Sequence, residues 1–534
     1  MIAVEDESPP ANNPPSVDIA APSGNTFTED EPVLLTGLAT DIEDGNLSAS
    51  ISWFSSIDGE LPVTGAAFSR QLSIGTHTIS AHATDSEDVS GLANISITVL
   101  SVATAANAFY VDGNHPDASD SNSGTEDKPW ETIAHAADTL TAGQTAYIKA
   151  GRYDGDVDVA NSGRKGAEII ISAYPGHERQ AVVYQGVFNI KGRSHIKVLG
   201  LKVENSDHRG FYVEGPDDPY GPPSENITLA GNHTYDTYSS GFSVWGRPYQ
   251  DDPGNFINIV DLVIEHNLIE MAVNGGHNEC ITLANGVVRA DVRYNEITTG
   301  GNPDHGGEGI DFKDGVRDSN IYGNYIHDLN RRGIYVDGGR TEGAVASNIH
   351  IYDNLIVNDP SSAIMVTSEG VGNVDGVYIY NNVVLGSAQN GIGVYDHPRG
   401  RGISTVRNIA IVNNTVIDGG RDGSGWGNIG TNHPEATNML IRNNITVSGN
   451  GFDIKAEGDT TVDHNLCRES ICEVQGDPKF VNPTFDGATA DYSLQSDSPA
   501  IDQGASSEAP SFDYDGTARP QGSAYDLGAY EYAP

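Results

Sequence analysis

Basic residues are scarce in this chain. It carries 29 Lys and Arg against 74 Asp and Glu in 534 residues, a formal net charge of −45. A surface this acidic repels nucleic acid and anionic membranes, which excludes functions that work through a basic patch. Long apolar runs are missing as well: no stretch of about 18 consecutive apolar residues occurs, so no membrane span is predicted. The opening residues, Met1 to Pro10, lack a basic segment followed by an apolar one and do not read as a signal peptide. The expectation is a mature secreted, extracellular protein behind an added methionine, monomeric, with no nucleic acid partner. Only 3 Cys are present. Cys467 and Cys472 are close enough in sequence to pair or can stay as two thiols, and Cys280, in an apolar stretch, reads as core rather than nucleophile. Aromatics make up just 7% of the chain, whereas 62 Gly and 26 Pro predict many turns and little helix.

The chain is too long for one compact core. Residues 1–15 are rich in Pro, Asn and acid and read as a flexible lead-in. From residue 16 to about 101, short alternating strands such as Ser50-Ile-Ser-Trp-Phe54 and Asn94-Ile-Ser-Ile-Thr-Val99 are separated by turn clusters, the pattern of a small β-sandwich. This segment resembles the bacterial immunoglobulin-like domains attached to secreted carbohydrate-active enzymes, which implies a spacer or accessory role. Trp53 then reads as a core residue.

From residue 108 a repeat organises the sequence. Apolar strands end in Asn232, Asn267, Asn295, Asn324, Asn354, Asn382, Asn414, Asn444 and Asn465, at steps of 35, 28, 29, 30, 28, 32, 30 and 21 residues. Propeller blades need longer units and helical repeats need a 3.6-residue period. Short β-branched strands with Gly-rich turns instead predict a parallel β-helix, with Asn side chains laddering along a sharp corner. The fold expected is therefore all-β: a parallel β-helix over 108–472, preceded by the sandwich at 16–101. Residues 108–155, including Thr132-Ile-Ala-His-Ala-Ala-Asp-Thr-Leu140, resemble the entry of secreted right-handed parallel β-helix proteins, where a short helix caps the first coil. The Asp-rich loop at 112–127 can hold Ca²⁺ or be a solvated turn. Residues 473–534 resemble the closing segment of such proteins and are expected to cover the last coil's strand edges.

A second periodic strand brings ionisable residues into columns. Aligning the coils on Gly210, Gly241, Cys280, Gly309, Gly333, Ala363 and Gly391 gives one column of Tyr212, Ser243, Thr282, Asp311, Tyr335, Met365 and Gly393. The next column reads Glu214, Trp245, Ala284, Lys313, Asp337, Thr367 and Tyr395. Alternation sends both columns to the outer face and Ile310, Phe312, Ile334 and Val336 to the core. With coils about 4.8 Å apart, Asp311 and Lys313 lie beside Tyr335 and Asp337, and Glu279 and Glu308 adjoin at the strand entrance. Glu369, Tyr395, His397 and Arg399 extend this face, and His277 lies in a neighbouring loop.

Three functions compete for this face. In a polysaccharide lyase a base removes the proton α to a uronate carboxylate that a cation neutralises, and the leaving sugar departs by β-elimination. The order Glu308-x4-Lys313 resembles the β-helix alginate lyases and chondroitinase B. That resemblance implies Lys313 as base and Glu308 as metal ligand, with Glu279 close to where another Ca²⁺ ligand should be; the strand register sets Asp311, Tyr335, Asp337 and Arg332 around them. The strand position where that family places Arg instead reads Tyr335-Val-Asp337, with Arg331 and Arg332 preceding it. The alternative is a glycoside hydrolase using two of Asp311, Asp337, Glu308 and Glu369, with carboxyls roughly 5–5.5 Å apart for retention or roughly 6.5–9.5 Å for inversion. The third function is a non-catalytic carbohydrate-binding surface on which Trp245 and the tyrosines stack on sugars. As plain surface ion pairs these charges would contribute about 0–1 kcal/mol each. A secreted polysaccharide-degrading enzyme, with β-elimination ahead of hydrolysis, is the expectation. Its substrate contacts are Trp245, His277, Glu369, Tyr395, His397 and Arg399.

Overall fold

The computed structural model describes residues 14–22, 26–29, 31–86, 89–100, 107–218, 221–247, 256–302, 306–396, 405–433, 436–487 and 489–533. Two of the expected substrate contacts, His397 and Arg399, lie outside the described residues. The chain divides into two compact units, Met1–Ala106 and Asn107–Ala533.

Alternating hydrophobicity builds the first unit. Strand Val33–Asp41 buries every second residue, with Val33, Leu35 and Ala39 inside. It belongs to a four-stranded sheet, and a second, five-stranded sheet is centred on Gly75–Thr84 and Ser90–Leu100. Trp53 is buried in the core between them, and its ring N–H donates to the Gly65 carbonyl at 2.9 Å.

The second unit is a parallel β-helix. Among the described residues its three parallel sheets have 13, 13 and 11 strands, and each central coil contributes one strand to each sheet in turn. Aliphatic side chains from all three fill one continuous core, with Phe188, Phe211 and Phe242 stacked at ring distances of 5.7 and 4.9 Å. The corner between the first and second sheets is a two-residue turn ending in the periodic asparagine. The preceding residue adopts left-handed backbone, for example Tyr294 at φ 53° and Asp353 at φ 53°. That conformation, which Asn, Asp and Gly tolerate best, turns the chain sharply enough to aim the asparagine inward. Asn324, Asn354 and Asn382 are fully buried, and each amide Nδ2 donates to the Oδ1 of the asparagine one coil on, at 3.0, 2.9 and 2.9 Å. The backbone N–H groups of the same residues donate to those oxygens too, so a corner that would strand polar groups is satisfied throughout.

The ends differ from one another. At the first coil the helix Ile133–Thr139 inserts Ile133, Ala136 and Ala137 into the core, as the capping pattern predicts. In the Asp-rich loop, Asp120 accepts hydrogen bonds from the N–H groups of Glu131 and Thr132 and from the Thr132 hydroxyl, which fixes the start of that helix. At the other end the closing segment does something unexpected. Phe480, Tyr492, Leu494, Leu527 and Ala529 pack on the outer face of the second sheet against Val357, Val383, Leu385, Ile445 and Leu466. It therefore runs along the flank of the solenoid instead of only covering its last strand edges, because that face carries apolar residues on both sides of the sheet. Cys467 and Cys472 form a disulfide, and Cys280 is a buried free thiol whose pKa is pushed up by burial.

Candidate active site

The third sheet carries the site. Its relevant strands are β1 (Phe242–Trp245), β2 (Ile281–Ala284), β3 (Ile310–Lys313), β4 (Ile334–Asp337), β5 (Ile364–Ser368) and β6 (Ile392–Asp396). The register runs Ser243, Thr282, Asp311, Tyr335, Met365, Gly393 in one column and Trp245, Ala284, Lys313, Asp337, Thr367, Tyr395 in the other. These are the columns the sequence predicts. Their exposure is not. Asp311 is 1% and Asp337 4% exposed, because loop residues including His277, Asn278, Gly306, Arg331, Arg340 and Glu369 rise around the strands. Together they enclose a cleft of about 630 Å³. The reading of an exposed ion-pair ladder fails on this burial.

Small residues on β2 make room for the central cluster. Over Thr282 and Ala284 the Glu279 carboxylate reaches the Lys313 ammonium at 2.7 Å and accepts the Thr282 hydroxyl at 2.7 Å. Lys313 also contacts Asp311 Oδ2 at 2.9 Å and lies 5.8 Å from the Trp245 ring centre. The other Asp311 oxygen, Oδ1, is buried and has no hydrogen-bond partner among the described residues. Burial pushes the Asp311 carboxyl well above its ordinary range; Lys313 opposes the shift, and Glu279 and Asp337 add to it. Asp337 is pushed up to about 7 by burial, against the pull of two N–H donors, Gly339 at 2.9 Å and Glu369 at 2.8 Å, both on Oδ1. Tyr335 donates its hydroxyl to Glu369 at 3.0 Å, and burial raises its pKa.

The entrance to β3 and β4 is held by basic residues. Glu308 Oε1 is shared by Arg331 at 3.2 Å and Arg332 at 3.0 Å, and the Arg332 guanidinium lies 5.1 Å from the Tyr335 ring centre. Arg340, from the loop after β4, reaches Glu369 at 3.4 Å and leaves most of its side chain in solvent.

Two of the expected roles meet surroundings that the sequence does not foretell. Lys313, expected as the base, is a buried ammonium between two carboxylates, and these raise its pKa despite burial. A base must release its proton near the working pH, so these contacts suit Lys313 to a fixed cation. Glu279 and Glu308, expected to hold Ca²⁺, are each already neutralised by this chain's own cations, Lys313 for one and Arg331 with Arg332 for the other. Among the described residues no group of three or more His, Cys, Asp or Glu is arranged to hold a metal. A calcium ion prefers six to eight oxygen ligands, and this donor set does not fit one.

Of the remaining expected residues, Trp245, His277, Tyr335, Asp337 and Glu369 line the same cleft. Tyr395 stands outside it. Its hydroxyl accepts from the Asn390 amide, and its ring packs with Tyr335, Met365 and Trp426, 4.9 Å from the last. Trp426 and Arg340 were not singled out in the sequence, since both sit on irregular loops off the columns. Thr282 was in the column but has no charge to draw notice.

Residues 316–511 match a protein family described as Disaggregatase related. The chain is 27% identical over 452 residues to the uncharacterized protein YwoF of Bacillus subtilis (strain 168), covering 72% of this chain and 91% of that one. It is 27% identical over 159 residues to the pectate lyase PEL9 of Emericella nidulans, covering 26% of this chain and 38% of that one. Among solved structures, the complex of XylC with xylose superposes over 79% of this chain and 98% of its own, with TM-score 0.47 and 13% identity.

Proposed function

We propose that this protein is a polysaccharide-degrading enzyme that hydrolyses glycosidic bonds in the cleft over β2 to β4, with Asp311 as general acid and Asp337 as general base. The observation that carries this is the Asp311 carboxyl: one oxygen rests on the Lys313 ammonium and the other is buried without a partner. A protonated Asp311 satisfies both facts. Oδ2 accepts from Lys313, and Oδ1 carries a proton that this reading delivers to the glycosidic oxygen once a bound substrate displaces the groups covering Oδ1 in the free protein. Asp337, pushed up to about 7, is ionised above that pH and can then serve as the base. Its Oδ1 is engaged by two backbone N–H groups, leaving Oδ2 to take a proton from the attacking water. Two carboxyls whose environments separate their pKa values divide the acid and base roles. Lys313 keeps the Glu279 charge from spreading to Asp311 and fixes the acid's orientation. Trp245, at the mouth of the cleft, supplies a face for a sugar ring. A location outside the cell belongs to the same proposal, as it would suit an enzyme acting on a polysaccharide.

β-Elimination is the second reading, and the basic residues of the cleft favour it. Arg331 and Arg340 line the cleft of an otherwise strongly acidic protein and could neutralise a uronate carboxylate, and a segment of the chain is similar to a pectate lyase. One experiment separates the two. Neutral glycans and uronate polymers are digested, and reducing ends are measured alongside absorbance near ~235 nm. Hydrolysis yields reducing ends without the unsaturated chromophore, and loses them in Asp311→Asn. Growth of the chromophore in step with reducing ends would overturn the hydrolytic reading.

A further inference from the structure

A second hollow lies on a different sheet, away from the catalytic columns. On the outer face of the first sheet, Tyr322, Tyr352 and Tyr380 stack coil upon coil, with ring centres 4.6 and 4.9 Å apart and planes within 6° and 2° of parallel. Beside them His350 stacks on Tyr378 at 4.8 Å. Both aromatic columns stop at the next coil, where the residues in register with Tyr378 and Tyr380 are Ala410 and Val412. The step leaves a hollow of about 480 Å³ against the last two rings, walled on its other side by the closing segment through Phe512. That wall is fixed: the Asn381 amide donates to the Phe512 carbonyl at 2.8 Å. The Phe512 ring itself is 58% exposed.

Aromatic rings gathered in one hollow, with polar groups beside them, are surroundings that suit a sugar ring: its C–H faces lie on the rings and its hydroxyls reach the polar groups. The polar rim here is acidic. Among the described residues Asp353, Glu508 and Asp513 line the hollow and no Lys or Arg does so. Asp513 is buried with its oxygens accepting from the N–H groups of Asp515, Thr517 and Glu531, so the acidic character comes from the exposed Glu508 and from Asp353, whose Oδ1 has no partner among the described residues. A uronate chain would meet only repulsion; an uncharged sugar offers hydroxyl donors to these carboxyls. We propose that this hollow is a second glycan-binding site, specific for an uncharged oligosaccharide, that holds the polymer on the flank of the solenoid while the cleft acts on it. Burial raises the Asp353 carboxyl to about 7, against the pull of the Asn381 side chain and the Arg519 charge.

The test reads binding, so it stands or falls apart from the cleavage chemistry. Xylotetraose, cellotetraose and mannotetraose, with trigalacturonate as charged comparison, are titrated calorimetrically into the full chain carrying Asp311→Asn to prevent turnover. At least one neutral tetrasaccharide binds, and Ala410→Tyr, which adds a ring where the column stops, weakens that binding about tenfold or more. Phe512→Ala, at an exposed ring whose loss leaves the core intact, weakens it in the same direction. Trp245→Ala, in the cleft, leaves this component unchanged. Absence of binding by all three neutral probes would overturn the proposal. So would isotherms of both hollow variants that superimpose on the parent, or tighter binding of trigalacturonate.

Discussion

Replacing Asp337 by asparagine tests whether a carboxyl is being held out of its ordinary range. Burial moves this group from 3.8 to about 7, and both strong contacts to Oδ1, the N–H groups of Gly339 and Glu369, survive in asparagine. Below pH 3.8 the carboxyl is protonated in folded and unfolded chains alike and its stabilising effect is whole. As pH rises towards about 7, the unfolded chain releases the proton while the folded one retains it, so stability falls. Above about 7 the loss levels off at about 4 kcal/mol, each tenfold in proton affinity being worth about 1.36 kcal/mol. Between pH 5 and pH 9 the wild type should therefore lose about 3 kcal/mol that Asp337→Asn keeps. For a unit the size of Asn107–Ala533, with an unfolding entropy near ~2.1 cal/mol/K per residue, this is a widening of the Tm gap by about 3 °C in favour of the variant. The measurement is thermal or urea unfolding of both proteins across that pH range. The same variant should lack activity at every pH, whereas wild-type activity rises as pH passes through about 7. Parallel stability curves for the two proteins would show that Asp337 does not titrate in this window, and the division of acid and base roles would fall with it.

Other outcomes follow from the same geometry. Lys313→Met leaves Asp311 and Glu279 buried without their cation and should lower stability by about 3–5 kcal/mol at pH 7, read as a shift in urea midpoint; an unchanged midpoint would remove Lys313 from its structural role. Activity should survive excess EDTA, because Glu279 and Glu308 are neutralised from within the chain; loss restored by Ca²⁺ alone would reinstate the metal. Asn354→Ala removes the donors to Ile321 and Asn382 and the acceptor of the Asn324 N–H, and should destabilise the β-helix by about 1–3 kcal/mol per group left unpaired. Wild-type stability in that variant would mean the corner relaxes around the loss.

The sequence displayed the scaffold because its signals are local and repeated. The nine asparagines from Asn232 to Asn465 mark one corner, and the register they imply places Asp311 against Tyr335 and Lys313 against Asp337, as observed. What the columns could not reveal is depth. Outward-facing Asp311 and Asp337 are buried by loops whose paths depend on contacts between non-periodic residues, and burial is what raises their pKa values. The same limit applies to Lys313. Its partner Glu279 comes from the loop before β2, and only the small Thr282 and Ala284 let that carboxylate cross over. The closing segment's place on the second sheet was equally hidden, since Leu355, Val383 and Ile445 look like ordinary strand residues until their outer faces are seen to be apolar.

The asparagine corner has a consequence for how such a protein can change. It is a two-residue turn in coil after coil from Asn232 to Asn465, so variation in coil length falls elsewhere, in the strands and in the two corners that border the third sheet. Those corners hold Glu279, Glu308, Arg331, Arg340 and Glu369. The pitch of the solenoid is thus insulated from its chemistry. A coil can vary at its loops while its asparagine keeps the corner, although the site itself is made between neighbouring coils, as Lys313 with Glu279 and Tyr335 with Glu369 show. New specificities can be written into the loops one turn at a time while the ladder keeps count.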